Sequence, residues 1–93
     1  MDWPFDQPKN CAVFTVDTVL AGDEPILHVT HDADDHGWQF LGSSGATMEH
    51  AKVVALETIV KLDPSVLLVA DMPPGWYAER TSPDEPWTRA QRT

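Results

Sequence analysis

Residues 28–40 read HVTHDADDHGWQF, and the first nine positions hold three of the chain's four histidines and three aspartates. Those residue types suit a metal site or an acid/base centre. A helix–loop–helix calcium loop takes oxygen ligands at its positions 1, 3 and 5, glycine at 6 and a bidentate glutamate at 12. Counted from Asp32, Asp34 and Gly37 fit, but the fifth position is His36 and the twelfth is Ser43, so the closing ligand is missing. Zinc needs three or four converging nitrogen or sulfur ligands. His28 and His31 are three apart on an expected strand and so face opposite sides. His31 and His36 could meet across a hairpin mouth, with Asp34 beside them, which makes an incomplete site. The three aspartates would favour a protonated histidine, but a wet turn screens that effect. The plainer reading is a solvated polar turn.

Other chemistry is sparse. Cys11 lies in an expected strand and reads as an apolar side chain rather than a thiolate. No Gly-x-Ser-x-Gly elbow is present. The segment GSSGAT, 42–47, has the setting of a phosphate loop but lacks the following lysine, and reads as a linker. Trp38, Trp76 and Trp87 read as core or edge cover, with Trp3 as the best interface anchor. Glu79 and Arg80 read as a solvated pair. No catalytic residue, metal ligand set or cofactor emerges, and the chain reads as a non-enzyme.

The elements that position these residues follow from pattern. Residues 1–10 lack periodicity and carry two prolines. They read as a loosely ordered arm from which Trp3 and Phe5 can still dock. CAVFT, 11–15, is a strand. VDTVLAGDEP gives one or two helical turns, stopped by Gly22 and Pro25. ILHVTH, 26–31, and WQFL, 38–41, form an antiparallel hairpin around a loop of six residues. Residues 47–62 divide into strand 52–55 and helix 56–62, with one long helix as the alternative. Asp63 caps and Pro64 starts a second short helix ending before Pro73. WYAERT, 76–81, is a strand, and WTR, 87–89, reads as a final edge strand.

Composition narrows the class. Ninety-three residues make a single domain, 1–93, with its folded part at 11–88. A chain of this size hides roughly 65% of its unfolded surface, enough for one modest core. With one cysteine, an internal disulfide is excluded. The acidic, proline-broken N-terminus does not read as a secretory signal. No apolar run approaches the ~20 residues of a membrane helix. A reduced, cytoplasmic setting is expected. The net charge of −9 is concentrated in residues 1–50, which hold nine acids and one base. Such a field repels nucleic acid and anionic membranes and draws a basic partner.

Four segments, CAVFTVDTVLAGDEPI, HGWQFLGSSG, VVALETIVKLDPSVL and MPPGWYAER, occur in an order that resembles a family of small bacterial domains of uncharacterised function. Some members of that family are assigned as immunity proteins of polymorphic-toxin systems. The resemblance spans roughly residues 11–88. Its most specific parts are Gly37-Trp38-x-Phe40, Leu62-Asp63-Pro64-Ser65 and Gly75…Glu79-Arg80. The loop after Phe40 departs from the resemblance in being short, with no acidic continuation after the glycine, and a tryptophan follows Gly75 where the resemblance leads one to expect a small residue. The resemblance implies an α+β fold with an antiparallel sheet and supports strand-then-helix across 52–62.

The expectation is therefore an α+β fold: four to five antiparallel strands with two to three short helices on one face. The expected function is an acidic protein-binding module of immunity type that occludes a basic partner. Its contact residues would be Asp32, Asp34, Asp35 and His36, with Asp23 and Glu24 on a neighbouring turn. The alternative is a small ligand- or metal-binding protein using the His/Asp turn. Chains could pair weakly through an exposed edge at 11–15 or 76–81.

Overall fold

A computed structural model describes residues 3–43 and 49–91. Among these residues six strands form one open sheet: β1 (Ala12–Val16), β2 (His28–His31), β3 (Trp38–Leu41), β4 (Ala51–Ala55), β5 (Trp76–Glu79) and β6 (Thr88–Gln91). Their order across the sheet is β4-β1-β3-β2-β5-β6. The α1 helix (Asp17–Leu20), the α2 helix (Leu56–Leu62) and a 3-10 helix (Pro64–Val69) complete the fold. The class is α+β, as the pattern of the chain suggests. The sheet has six strands, and it is mixed rather than antiparallel because β1 and β3 run parallel, with Phe14 opposite Gln39.

The reason for the parallel pair is topological. After β1, the chain crosses by α1 to β2 and returns as β3 into the slot beside β1. It then crosses β1 to add β4 antiparallel on the far side, with Phe14 opposite Val53. Helix α2 and the 3-10 helix carry the chain back over one face to β5. The edges are therefore β4 and β6. The strands at 11–15 and 76–81, expected as free edges, are interior, because β1 lies between β4 and β3, and β5 between β2 and β6.

Strand parity decides the core. Val13, Val29, Trp38, Phe40 and Ala78 point inward and are buried with Val19, Leu56, Ile59, Val66 and Val69 of the helices. Burying each large side chain is worth about 1.5–3 kcal/mol. Thr15, also inward, satisfies its hydroxyl by donating to the Phe40 carbonyl at 2.7 Å. The opposite parity points outward, where Phe14 is 47% and Val53 59% exposed. The helices therefore cover one face, and the other is open among the described residues.

Boundaries follow local chemistry. Gly22 takes a left-handed φ of 80° just after α1, a conformation glycine adopts without steric cost. Asp63 accepts from the Ser65 amide at 3.0 Å, and Pro64 occupies the first turn of the 3-10 helix. Strand-then-helix across 51–62 holds, because Val53 and Val54 alternate on β4 while Leu56, Ile59 and Val60 form one buried stripe on α2. The linker segment 44–47 and Met48 lie outside the described residues.

Among the described residues of the N-terminal arm, 3–10, there is no strand or helix, yet this stretch is anchored. Phe5 is buried and meets the Trp38 ring edge-on at 5.2 Å. Trp3 tilts against Phe5 at 5.5 Å, and its indole donates to the Gln7 carbonyl at 2.7 Å. The Gln7 side-chain oxygen accepts from Trp38 Nε1 at 3.0 Å. Trp3 is thus a half-buried lid on the aromatic core rather than a free anchor.

Candidate functional site

The turn between β2 and β3 spans residues 32–37, the six-residue loop expected. It is closed by the Asp32 amide donating to the Gly37 carbonyl at 2.8 Å. Asp35 accepts from the Gly37 amide at 2.8 Å, an aspartate turn that fixes the chain locally. His36 sits at φ 59°, a left-handed position that histidine tolerates better than most residues. Gly75, at φ 91°, donates its amide to the His31 carbonyl at 2.7 Å and braces the base of the turn. Asp34, Asp35 and His36 are exposed. Asp32 is half-buried and accepts from the Gln39 side chain at 2.9 Å on the open face.

Asp23 and Glu24 do not join this group. They precede β2, whereas residues 32–36 follow it. The intervening residues 26–31 span about 16 Å at ~3.3 Å per residue. Asp23 is exposed, but Glu24 is half-buried, accepts from the Thr18 hydroxyl and lies against Gly42. A side chain added at Gly42 would collide with that carboxylate, so Glu24 packs the α1–β2 loop onto the end of β3.

The histidines divide as strand parity requires. His28 is exposed on the open face, while His31 is only 5% exposed on the inner face. The His31 ring stacks on Trp38 at 4.0 Å, and its Nδ1 donates to the Met72 carbonyl at 2.8 Å. That bond fixes the tautomer and leaves Nε2 an acceptor, buried and unpartnered among the described residues. The His36 ring lies 6.5 Å away. No group of three or more His, Cys, Asp and Glu side chains is arranged to hold a metal ion among the described residues. His50 instead contacts Asp17 at 3.0 Å, and this hydrogen bond holds the Asp17 carboxyl below the usual range. Cys11 is half-buried against the core.

Sequence reasoning misplaced Arg80. It is not a solvated partner of Glu79 but a buried guanidinium whose side chain is 3% exposed. Its Nε and Nη2 donate to the Ile26 carbonyl at 3.1 and 2.8 Å. Nη1 donates to Ser65 Oγ at 3.0 Å, and Nη2 to Asp63 Oδ2 at 2.6 Å. The Trp87 ring covers the guanidinium at 4.1 Å, and its indole donates to the same Ser65 oxygen. Burial raises the Asp63 carboxyl pKa, but the bonds from Ser65 and Arg80 outweigh it, so the net direction is down. The signal was present in parity: Trp76, Ala78 and Arg80 alternate onto one side. An arginine there demands a carboxylate, and Asp63 supplies it.

Glu79 points the other way, onto the open face. It faces His28 across the β2–β5 pair at 3.8 Å, and the His28 and Tyr77 rings lie parallel within 5° at 6.0 Å. No sequence pattern shows this cluster, because the β2–β5 register joins residues nearly fifty positions apart.

The chain matches no family model, no curated protein and no solved structure. No helix among the described residues is long and apolar enough to cross a membrane. What is defined is a small α+β fold with one sheet face left uncovered among the described residues and bordered by an acidic turn.

Proposed function

We propose that this is a non-enzymatic, acidic protein-binding module of immunity type, acting in a cytoplasmic setting, whose partner is a basic protein. The observation that carries this reading is the turn at 32–37. Asp34 is exposed and has no partner among the described residues, and Asp35 and His36 are presented beside it on backbone already fixed by hydrogen bonds. Two of the chain's six bases are committed elsewhere, Arg80 to Asp63 and Arg89 to Asp71. A net charge of −9 steers a cationic surface toward this end of the molecule. The resemblance to a family with immunity-type members agrees with that use. Asp23 extends the acidic surface at the far end of β2, and Glu24 supports its loop.

The test is binding of the captured native partner as a function of salt. Asp34→Lys with Asp35→Asn reverses the charge at 34 and neutralises it at 35 while keeping an oxygen for the Gly37 amide. Affinity should fall at least tenfold at low salt, and the salt dependence should flatten. An affinity indifferent to both salt and these substitutions would end the electrostatic reading.

A second reading has one observation in its favour. The unpartnered, buried His31 Nε2, with Nδ1 held on the Met72 carbonyl and His36 nearby, has the carbonyl-oriented arrangement common to metal-bound histidine. Two imidazoles would hold zinc only with further ligands from water or a partner. Zinc titration followed by Trp38 fluorescence decides it, because Trp38 stacks on His31. Absence of saturable quenching at micromolar zinc would exclude this use.

A further inference from the structure

The open sheet face carries a feature the acidic turn does not: aromatic planes beside a carboxylate. Two clefts meet there. One, of about 440 Å³, is lined by His28, Thr30, Gln39, Tyr77 and Glu79. The other, of about 860 Å³, shares His28 and Glu79 and continues past Leu41 and Thr88 to Glu85. Arg80 borders the second cleft, but its guanidinium is turned to the other face and committed to Asp63. The charged side chains left facing the clefts are thus Glu79 and Glu85, beside His28.

We propose that this cluster is an arginine-recognition pocket: the Tyr77 ring, stacked with His28, offers an aromatic face to a guanidinium plane, and Glu79 receives its N–H fork. The proposal deepens the acidic-module reading and rests on it, since it names the side chain that the basic partner presents. Arginine fits better than lysine for a stated reason. Its planar, delocalised cation stacks on aromatic faces and binds a carboxylate through two parallel bonds, whereas a lysine ammonium is a strongly hydrated point charge. The pocket is built into the sheet. Thr30 lies directly opposite Tyr77, and His28 opposite Glu79, so the register fixes all four side chains on one surface.

Charge also selects the occupant. A second copy of the chain laid on this face would set Glu79 and Asp32 against their own duplicates on a protein of net charge −9. An arginine-bearing segment removes that repulsion. Gln39 borders the same cleft with its amide nitrogen bonded to Asp32 at 2.9 Å, which links the pocket to the acidic turn. A basic surface touching the turn would therefore pass its side chains over the pocket.

The test is an NMR titration of the isotopically labelled chain, residues 1–93, at low salt. The probes are a blocked Gly-Arg-Gly-Arg-Gly peptide and its lysine counterpart. Saturable shifts should centre on His28, Thr30, Tyr77 and Glu79. The arginine peptide should bind at least threefold more tightly than the lysine peptide. Glu79→Gln should weaken arginine binding about three- to fivefold, in the range of an exposed charge pair. Tyr77→Ala should weaken it comparably, and Tyr77→Phe, which keeps the ring, should restore it. Both positions are outside the core, so unchanged spectra elsewhere will verify the fold of each variant. Equal affinity for the two peptides, or shifts centred on Asp34 and Asp35 and unaffected by Glu79→Gln, would overturn the arginine pocket while leaving the acidic-module reading intact. No response to either peptide, combined with salt-independent binding of the native partner, would overturn both.

Discussion

Glu79 and Arg80 are neighbours in the chain and sit on opposite faces of one sheet. Arg80 is enclosed, with five hydrogen bonds to Ile26, Ser65, Asp63 and Pro83 and an indole over its plane. Glu79 is half in water, 3.8 Å from a histidine that is equally wet. The same strand thus carries one charge that holds the fold together and one that leaves it almost untouched. Position relative to the helices decides which is which. On the covered face an ion pair must satisfy every polar group, because an orphaned one costs its full desolvation. On the bare face a carboxylate keeps its hydration and remains available to a partner.

The sharpest way to break this contrast is Arg80→Ala. It strips donors from the Ile26 carbonyl, Ser65 and Asp63 at once and uncovers the face of Trp87. Removing one member of a buried pair typically costs about 3–5 kcal/mol, a large share of the 5–15 kcal/mol that holds a typical domain folded. Urea unfolding at neutral pH will measure it. A loss under ~1 kcal/mol would mean that the junction is not a structural clamp.

Asp63→Asn is the milder form. It keeps the cap to Ser65 but removes the charge facing Arg80, at a cost of about 1.5–3 kcal/mol. It also has a pH signature. The folded-state carboxyl titrates below its ordinary range, so its contribution is complete above that range and is lost as pH falls through it. The wild type should therefore lose more stability on acidification than the variant, and the two curves should converge at low pH. Parallel curves would show that Asp63 is not the group responsible.

What the sequence shows and what it hides follow the same division. Strand β3 at 38–41, helix α2 at 56–62 and the Asp63–Pro64 restart are written locally, in alternation, in a buried stripe and in a cap followed by proline. The split of His28 from His31 is written in parity. The parallel β1–β3 pair is not, because it depends on which slot the returning hairpin fills. That choice also moved the free edges from β1 and β5 to β4 and β6. The pairing of Arg80 with Asp63 went unread: alternation sets Arg80 on the side of Trp76 and Ala78, but the residue type suggested a solvated pair, and its partner lies seventeen residues away. The His28–Tyr77–Glu79 surface exists only through register. The acidic turn was legible in composition, yet composition grouped Glu24 with it, and tertiary packing sends Glu24 to Thr18 and Gly42 instead.

On the bare face the expected effects are small. A double-mutant cycle between His28→Ala and Glu79→Gln should give a coupling of about 0.2–0.5 kcal/mol at neutral pH, as for other exposed pairs. A value near that of the Arg80 junction would mean that the face is buried in solution, and thermal unfolding at several protein concentrations would then show whether a second copy covers it.

The smallest effect on stability belongs to the turn. Asp34→Lys should change the unfolding free energy by no more than about 0.5 kcal/mol, the usual range for a surface site with no partner, and the sign should be stabilising. Asp34 sits between Asp32 and Asp35 on a chain of net charge −9, so exchanging it for a cation relieves repulsion that the folded state concentrates and the unfolded chain dilutes. Salt should shrink the gain, because a Debye length of about 8 Å at physiological ionic strength screens neighbours on an exposed turn. Chemical unfolding in urea, which adds no ions, at low and high sodium chloride will resolve it. A destabilisation by Asp34→Lys would show that this carboxylate has a partner in the folded protein, and the turn would then belong with Arg80 as structure rather than with Glu79 as surface.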